Sequence, residues 1–237
     1  MQKIKVQDLG VIKYAAALDI QTQKFNELIE HKLKERSNKD AHYLYLCQHT
    51  PVITLGKAAN QQNILLSEDF LQEKGIDVVA INRGGDVTFH GPGQITGYPI
   101  LDLDFFTSDL KVYMRMLEEV MIKTIANYGI EGYRIEDATG VWVNSKKDHQ
   151  TKKIAAFGVK TSRWITMHGF ALNVDVDLNY FNYINPCGFT DKGVTSIKNE
   201  IGNEVNTDEV KRVLLDNFAK VFNANFSSLE VNKGCVK

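Results

Sequence analysis

Two hydrophobic repeats alternate along the chain, and each predicts one kind of secondary structure. Apolar residues at steps of three and four indicate amphipathic helices, whereas short apolar or alternating runs indicate strands. The helical repeat occupies residues 14–36, 67–74, 108–128 and 207–222. Strand-like runs occupy residues 42–48, 51–56, 76–81, 95–104, 139–144, 153–163 and 165–174.

Capping residues stand at several of these boundaries. Ser67, Ser108 and Thr207 precede or open helical segments, where a hydroxyl oxygen accepts from a free backbone amide. Gly75 and Gly129 follow helical segments, where glycine ends a helix without strain. We therefore predict these three residues as N-caps and these two glycines as stops.

The last three strand-like runs lie close together in the sequence. A polar stretch, residues 145–151, separates the first two and has the composition of a hairpin tip. We predict a three-stranded antiparallel unit here. The sequence after residue 223 is mostly polar, and we expect Cys235, near its end, to be frayed.

Length and composition fit a single compact α/β or α+β domain over residues 1–237, with two domains possible, since 43% of the 237 residues are apolar. The net charge of −1 argues against nucleic acid as a partner. No apolar run approaches the roughly 18 residues of a membrane span, and the first residues lack a signal sequence, so a cytoplasmic protein is expected. The three cysteines are far apart, which predicts neither a disulfide framework nor a metal site.

Residues 83–94 form the most unusual stretch of the chain. Four glycines and Pro92 exclude a helix interior, and glycines allow backbone amides to approach a ligand closely. We predict a binding loop between two strands, in preference to a tight hairpin with ordinary turn glycines. Its polar chemistry would come from Arg83, Thr88, His90 and Gln94.

Cys187 is the candidate nucleophile among the three cysteines. It lies between Pro186 and Gly188 in a predicted loop, whereas Cys47 lies in an apolar strand and is expected to be a buried, inert thiol. A structural loop cysteine is an equally good interpretation of these residues alone. A nucleophilic thiol, with a free pKa of about 8.5, needs a neighbouring base or cation to ionise.

Several side chains are candidates for that neighbour: His90, His168 and the lysines. The residues alone favour His168 as an ordinary core histidine. They give no reason to prefer Lys153 over Lys152 or Lys160.

Three motifs together resemble the lipoyl(octanoyl) transferase family over residues 42–197, with His49, Pro51 and Gly56 also fitting its pattern. The first is Arg83-Gly84-Gly85 with Thr88, His90-Gly91-Pro92-Gly93-Gln94 and Tyr98-Pro99. The second is Lys153-Ile154-Ala155-Ala156-Phe157-Gly158-Val159, followed by His168-Gly169-Phe170-Ala171-Leu172-Asn173. The third is Asn185-Pro186-Cys187-Gly188, followed by Val194-Thr195-Ser196.

The resemblance implies transfer of an octanoyl or lipoyl group from acyl carrier protein to a lysine, the first step of endogenous lipoate attachment. It implies that Cys187 forms a thioester acyl-enzyme and that Lys153 is its acid/base partner. It also implies that an acyl pocket is lined by Arg83, Gly84, Gly85, Asp86, Val87, Thr88, Phe89, His90, Ala156, Phe157, Gly158, His168, Gly169 and Phe170.

The same resemblance implies an α+β fold like that of the biotin and lipoate protein ligases, with a mixed sheet flanked by helices and a smaller sheet nearby. The acceptors would be lipoyl domains of 2-oxoacid dehydrogenases and the glycine cleavage H protein. No cofactor is expected, because a donor thioester is already activated. The alternatives are an ATP-dependent lipoate-protein ligase and a non-catalytic acyl-binding module, neither of which needs the Pro-Cys-Gly motif.

Overall fold

The computed structural model describes residues 1–34, 42–185 and 193–231. The α-helices of these residues are α1 (Tyr14–Leu33), α2 (Glu68–Glu73), α3 (Leu110–Ala126), α4 (Ile197–Ile201) and α5 (Thr207–Val221). The strands are β1 (Gln2–Ile12), β2 (His42–His49), β3 (Val52–Leu55), β4 (Asp77–Ala80), β5 (Val87–His90), β6 (Gln94–Ile100), β7 (Gly132–Ile135), β8 (Ala138–Asn144), β9 (Thr151–Ser162), β10 (Ile165–Asn173), β11 (Gly193–Val194) and β12 (Ala224–Val231).

The strands form one large mixed sheet and one small sheet. The large sheet has the order β12-β1-β2-β6-β10-β9-β8-β7, and β11 pairs with β9. β1 is parallel to β2 and β12, and β11 is parallel to β9, whereas the remaining pairs of this sheet are antiparallel. The small sheet has the order β4-β3-β5. The predicted antiparallel unit of β8, β9 and β10 is confirmed as part of the large sheet.

Helices cover both faces of the large sheet. Alternate residues of β2 show why: Leu44 and Leu46 pack in the core that contains α3 and α5, while Tyr45 and Cys47 pack in the core beneath α1. Burying each large apolar side chain contributes roughly 1.5–3 kcal/mol, so both faces must be covered. The predicted mixed sheet flanked by helices is confirmed.

The sequence repeat predicts a core stripe of Leu110, Tyr113, Leu117, Val120, Ile125 and Tyr128, and helix α3 carries most of it, with Tyr128 partly buried just beyond its last residue. Tyr113, Leu117, Val120 and Ile125 are fully buried, at 0% exposure. Leu110 is 36% exposed instead, because it lies at the first turn, where the helix leaves the core. The prediction that Leu110 belongs to the core stripe was therefore wrong.

Two of the predicted N-caps are displaced by one residue. Asp109, not Ser108, caps α3, since its carboxylate accepts from the backbone amide of Lys111 at 2.7 Å. Asn206, not Thr207, caps α5. A carboxylate or amide oxygen beside a hydroxyl is an equal or better cap, which explains both displacements. The Ser67 cap of α2 is confirmed.

Part of the glycine-rich stretch is a strand. Val87–His90 forms β5, which pairs antiparallel with β3. Val87 and Phe89 alternate into a core between the small sheet and residues 178–183, and this burial outweighs the nearby glycines. The prediction of a loop throughout residues 83–94 was wrong for these four residues.

The two ends of the described chain were also missed. β1 and β12 pair in parallel at one edge of the large sheet, where Ile4 and Val6 of β1 are buried. β12 was not predicted in the mostly polar sequence after residue 223. Cys235, which was expected to be frayed, lies outside the described residues, as do residues 35–41, which include the end of the first predicted helix. Across the parts of the chain that the structure describes, no helix combines the length and apolar character needed to cross a bilayer.

Candidate active site

A cavity of about 680 Å³ lies where the glycine-rich stretch meets β9 and β10. Lys153 lines it, as do nearly all the predicted substrate-binding residues: Arg83, Gly84, Gly85, Asp86, Val87, Thr88, His90, Ala156, Phe157, Gly158, His168, Gly169 and Phe170. The exception is Phe89, which does not belong to the lining and stacks on Tyr180 with ring centroids 4.5 Å apart. Cys187 lies outside the described residues.

The glycine-rich loop contacts β9 through its backbone. The Gly84 amide donates to the Val159 carbonyl oxygen at 3.0 Å. A Cβ on Gly158 would lie 2.8 Å from Cδ of Arg83 and 2.9 Å from the Gly84 carbonyl oxygen, so this approach requires glycine. Since the Gly84 amide is already used, it is not a donor for a substrate oxyanion.

Arg83 is buried and holds the loop in place. One terminal nitrogen donates to the backbone and side-chain oxygens of Thr54, both at 3.0 Å. The other donates to the Gly84 carbonyl oxygen at 3.0 Å. The guanidinium therefore ties the loop to β3 of the small sheet, and its charge also reaches the cavity.

The histidines of the cavity are neutral. His90 Nδ1 lies 2.6 Å from Gln94 Oε1, and the Gln94 amide nitrogen donates to Phe89 and Asn173, so His90 is the donor of the first bond. Its Nε2 is therefore an acceptor. Burial lowers the pKa of His90 to about 3, with a further contribution from the nearby His49.

His168 is a cavity residue and not an ordinary core histidine. Its backbone has a φ of +61°, and its amide donates to Gln21 Oε1 at 3.2 Å. Burial, reinforced by the charges of Arg83 and Lys160, lowers the pKa of His168 to about 4. Neither His90 nor His168 is a strong base near neutral pH.

Lys153 occupies a different environment from its neighbour Lys152. Lys153 lines the cavity, and its Nζ lies 4.6 Å from the ring centroid of Trp142. Lys152 does not belong to the lining and forms an ion pair with Asp148. The structure therefore separates two lysines that the sequence alone could not distinguish.

Both described flanks of residues 186–192 are bonded to groups of the cavity wall. On one side, the Asn185 amide donates to the Asn63 carbonyl oxygen at 2.8 Å. The Asn63 side chain in turn donates to the Asp86 carboxylate at 2.7 Å.

On the other side, β11 runs beside Lys153. Gly193 and Val194 pair with Lys152 and Lys153, and both β11 residues line the cavity. The Thr195 amide donates to the Lys153 carbonyl oxygen at 3.0 Å. After the gap the described chain therefore resumes in the cavity wall beside Lys153, whereas Asn185 before the gap reaches the cavity residue Asp86 only through Asn63.

Several lining residues were not identified as such from the sequence. Tyr14, Leu110 and Trp142 come from α1, α3 and β8, and no local motif marks them. Met114 also lines the cavity, whereas its place in the α3 repeat favours core or rim packing over a ligand surface. Among the described residues, no group of three or more His, Cys, Asp or Glu side chains is arranged to hold a metal ion.

Comparisons with solved structures define the fold. A bi-partite lipoate protein ligase from Thermoplasma acidophilum superposes with a TM-score of 0.71 at 14% identity, covering 96% of this chain and 87% of that one. Lipoate-protein ligase A bound with ATP gives a TM-score of 0.69 at 16% identity, covering 96% and 87%. The predicted lipoate ligase fold is confirmed.

Sequence comparisons define the family. The model of the lipoyl protein ligase A/B catalytic domain matches residues 21–219. An octanoyltransferase from Parabacteroides distasonis is 47% identical over 94% of this chain and 100% of its own. An octanoyltransferase from Flavobacterium johnsoniae is 47% identical over 94% and 98%. The chain therefore belongs to the lipoyl protein ligase A/B catalytic-domain family, among the octanoyltransferases, and is an acyltransferase.

Proposed function

We propose that the chain takes an octanoyl group from acyl carrier protein, holds it as a thioester on Cys187 and transfers it to a lysine of a lipoyl domain. Lys153 is the acid/base partner. The observation that carries the proposal is the pairing of β11 with Lys153, which brings the chain after Cys187 back to the cavity beside this amine. The attachment of Asn185, two positions before Cys187, supports it from the other side.

In the first step, the Cys187 thiolate attacks the carbonyl carbon of the donor thioester. A new carbon–sulfur bond forms, and the donor's carbon–sulfur bond breaks. The departing thiolate takes a proton from the Lys153 ammonium, which leaves a neutral amine. Before this step the ammonium stabilises the Cys187 thiolate, because an adjacent cation favours ionisation of a thiol.

In the second step, the acceptor lysine attacks the acyl-enzyme as a neutral amine. It reaches the cavity after losing one proton to solvent, which is unfavourable at neutral pH because its pKa is about 10.4. The neutral Lys153 accepts the second amine proton as the amide forms, and Cys187 leaves as a thiolate. The cycle ends with the ammonium and thiolate with which it began.

Apolar groups of the cavity give the octanoyl chain its binding site. Leu110, Met114, Phe157 and Phe170 all line the cavity. Each CH₂ that leaves water contributes about 0.8 kcal/mol, so a chain that fills the apolar part is favoured over a shorter one. Because the Gly84 amide is occupied, the amides of Gly85 and Gly158, which also line the cavity, are the proposed donors to the substrate oxyanion.

The donor and acceptors are proposed from the family. The Thermoplasma structure pairs a lipoate protein ligase with its E2 lipoyl domain, which supports a protein lysine as the acceptor here. The lipoyl domains of 2-oxoacid dehydrogenases and the glycine cleavage H protein are the proposed acceptors. Residues 1–237 would act as one catalytic domain, in the cytoplasm where these partners are expected.

The proposal is tested by octanoyl transfer from octanoyl-acyl carrier protein to a lipoyl domain without ATP. We expect Cys187→Ser to reduce transfer to background and Cys47→Ala to retain it, because Cys47 is fully buried and burial raises the pKa of its thiol to about 12. Persistent transfer in Cys187→Ser would contradict the covalent route. Transfer that instead requires free octanoate and ATP would assign the ligase reaction.

A further inference from the structure

Lys153 is held by two residues of β8 that the proposed reaction does not use directly. The pairing of β8 with β9 joins Trp142 to Lys153 and Val141 to Ala155, so one residue of β9 is extra. Such a bulge bends a strand and re-aims the side chains next to it. Ile154 and Ala155 are both buried, as expected when the alternation is broken at this point.

Gly140 makes room for the stem of Lys153. A Cβ added to Gly140 would lie 2.8 Å from Cε and 3.2 Å from Cδ of Lys153. The φ of +151° at this position is itself one that glycine adopts readily and other residues rarely do. The stem therefore crosses β8 where β8 has no side chain.

Trp142 supports the other end of the Lys153 side chain. Lys153 Nζ lies 4.6 Å from the ring centroid, within the distance at which an aromatic face attracts a cation. The indole is fixed because its Nε1 donates to the Ala138 carbonyl oxygen at 2.9 Å, and the residue is 1% exposed. A fixed ring gives the ammonium a defined position.

We propose that Gly140 and Trp142 are positioning residues that hold the Lys153 side chain across β8 and keep it cationic in the resting enzyme. The two residues act through Lys153, and their role rests on the proposed catalytic role of that lysine. The ring favours the ammonium over the neutral amine, which suits the stabilisation of a thiolate before the first transfer. The glycine fixes the path along which the amine reaches the cavity.

A buried carboxylate supports this arrangement from α3. Glu118 Oε1 accepts from the Gly140 amide at 3.3 Å, and its other oxygen pairs with Arg115 at 2.9 Å and Arg134 at 3.1 Å. The backbone at Gly140 is therefore anchored beneath Lys153. Among the described residues, the other charged side chains of the cavity lining are Arg83, Asp86 and Asp137, with His90 and His168 held neutral.

The test measures Lys153 without turnover. The protein is prepared with ¹³Cε-labelled lysine in a Cys187→Ser background, and the Lys153 signal is assigned by its loss in Lys153→Arg. We expect Trp142→Leu to move the Lys153 titration midpoint to lower pH by about 0.5 to 1.5, and Trp142→Phe to move it less. Trp164→Leu is the matched control, since this second tryptophan is 40% exposed in the β9–β10 turn and should leave the midpoint unchanged.

The protons on Cε of Lys153 give a second reading. They should be shifted by the indole ring current in the unsubstituted protein and lose that shift in Gly140→Ala. In the presence of Cys187, Gly140→Ala should lower kcat by about 10²-fold with a smaller change in KM. An unchanged Lys153 titration midpoint in a folded Trp142→Leu protein would overturn this inference but would not affect the covalent route. Persistent octanoyl transfer by Cys187→Ser would contradict the covalent route but would not change these NMR results.

Discussion

The buried histidines and Lys153 line the same cavity, but the protein treats their charge in opposite ways. At His90 and His168, burial disfavours the cation and lowers the pKa of each side chain to about 3 and about 4. At Lys153, an aromatic face supports the cation. His90 and His168 are therefore weak bases at neutral pH, whereas Lys153 would enter the proposed reaction with a proton to donate.

The two kinds of base are also separated along β9. His168 pairs with Val159, six residues from Lys153. At about 3.3 Å per residue, Lys153 lies about 20 Å along the strand from the residue opposite His168. This separation supports the proposal that Lys153, and not His168, is the acid/base group.

Among the substitutions that test this difference between Lys153 and the histidines, Lys153→Arg should have the largest effect. Arginine keeps the cation but does not lose its proton, so we expect a fall of about 10²–10⁴-fold in the rate of transfer to the acceptor. Steady-state octanoylation of a lipoyl domain measures it. Lys152→Arg, at the lysine that pairs with Asp148 outside the cavity, is the matched control and should retain the rate. A fully active Lys153→Arg enzyme would remove the lysine from the mechanism.

The lowered pKa of the buried His90 predicts that the protein loses stability in acid. The pKa of His90 is lower in the folded protein than the usual 6.5 of an unfolded chain, so its contribution is present above about pH 6.5 and disappears as the pH falls toward about 3. By pH 5, protonation of this one group in the unfolded chain has lowered the free energy of unfolding by about 2 kcal/mol.

Urea unfolding at several pH values checks this prediction. The free energy of unfolding should fall less between about pH 8 and pH 5 in His90→Asn than in the unsubstituted protein, by about 2 kcal/mol. His149→Asn is the control, because His149 is exposed at the β8–β9 hairpin tip and its φ of +56° suits asparagine. Equal slopes for His90→Asn and the unsubstituted protein would show that His90 is not held neutral by the fold.

The smallest expected effect lies outside the cavity. Asn206→Ala removes the oxygen that accepts from the amides of Asp208 and Glu209 at the start of α5. We expect a loss of about 1 kcal/mol in unfolding free energy with unchanged octanoyl transfer. Thr207→Ala should cost less, since the sequence prediction of Thr207 as the cap was wrong. A drop in turnover for Asn206→Ala would show that activity depends on the stability of α5, which lies outside the cavity wall.

Much of the fold followed from local patterns, and the errors have local causes. The 3.6-residue repeat identified α3 because its buried residues recur at short, regular steps within one uninterrupted segment. The caps moved by one position because Asp109 and Asn206 stand beside the predicted hydroxyls. β5 was missed because its neighbouring glycines hid a short alternation at Val87 and Phe89. β1 was missed because only Ile4 and Val6 of its eleven residues are buried, which leaves a weak apolar pattern.

The site needed the family motifs because its geometry is not local. Whether Lys153 or Lys152 faces the cavity depends on the bulge between β8 and β9, which no repeat in the sequence records. Whether His168 is a core or a cavity residue depends on how β10 pairs with its neighbours, which the sequence does not show. Trp142 and Gly140 meet Lys153 only through strand pairing, so their roles could not be predicted before the register was known.

Intact-mass spectrometry after incubation with octanoyl-acyl carrier protein, with no acceptor present, tests the covalent intermediate most directly. We expect one octanoyl adduct per chain, located on the peptide that contains Cys187. The adduct should persist in Cys47→Ala, be lost in Cys187→Ser, and disappear from the unsubstituted protein when a lipoyl domain is added. Octanoyl transfer to the lipoyl domain with no adduct at Cys187 would contradict it.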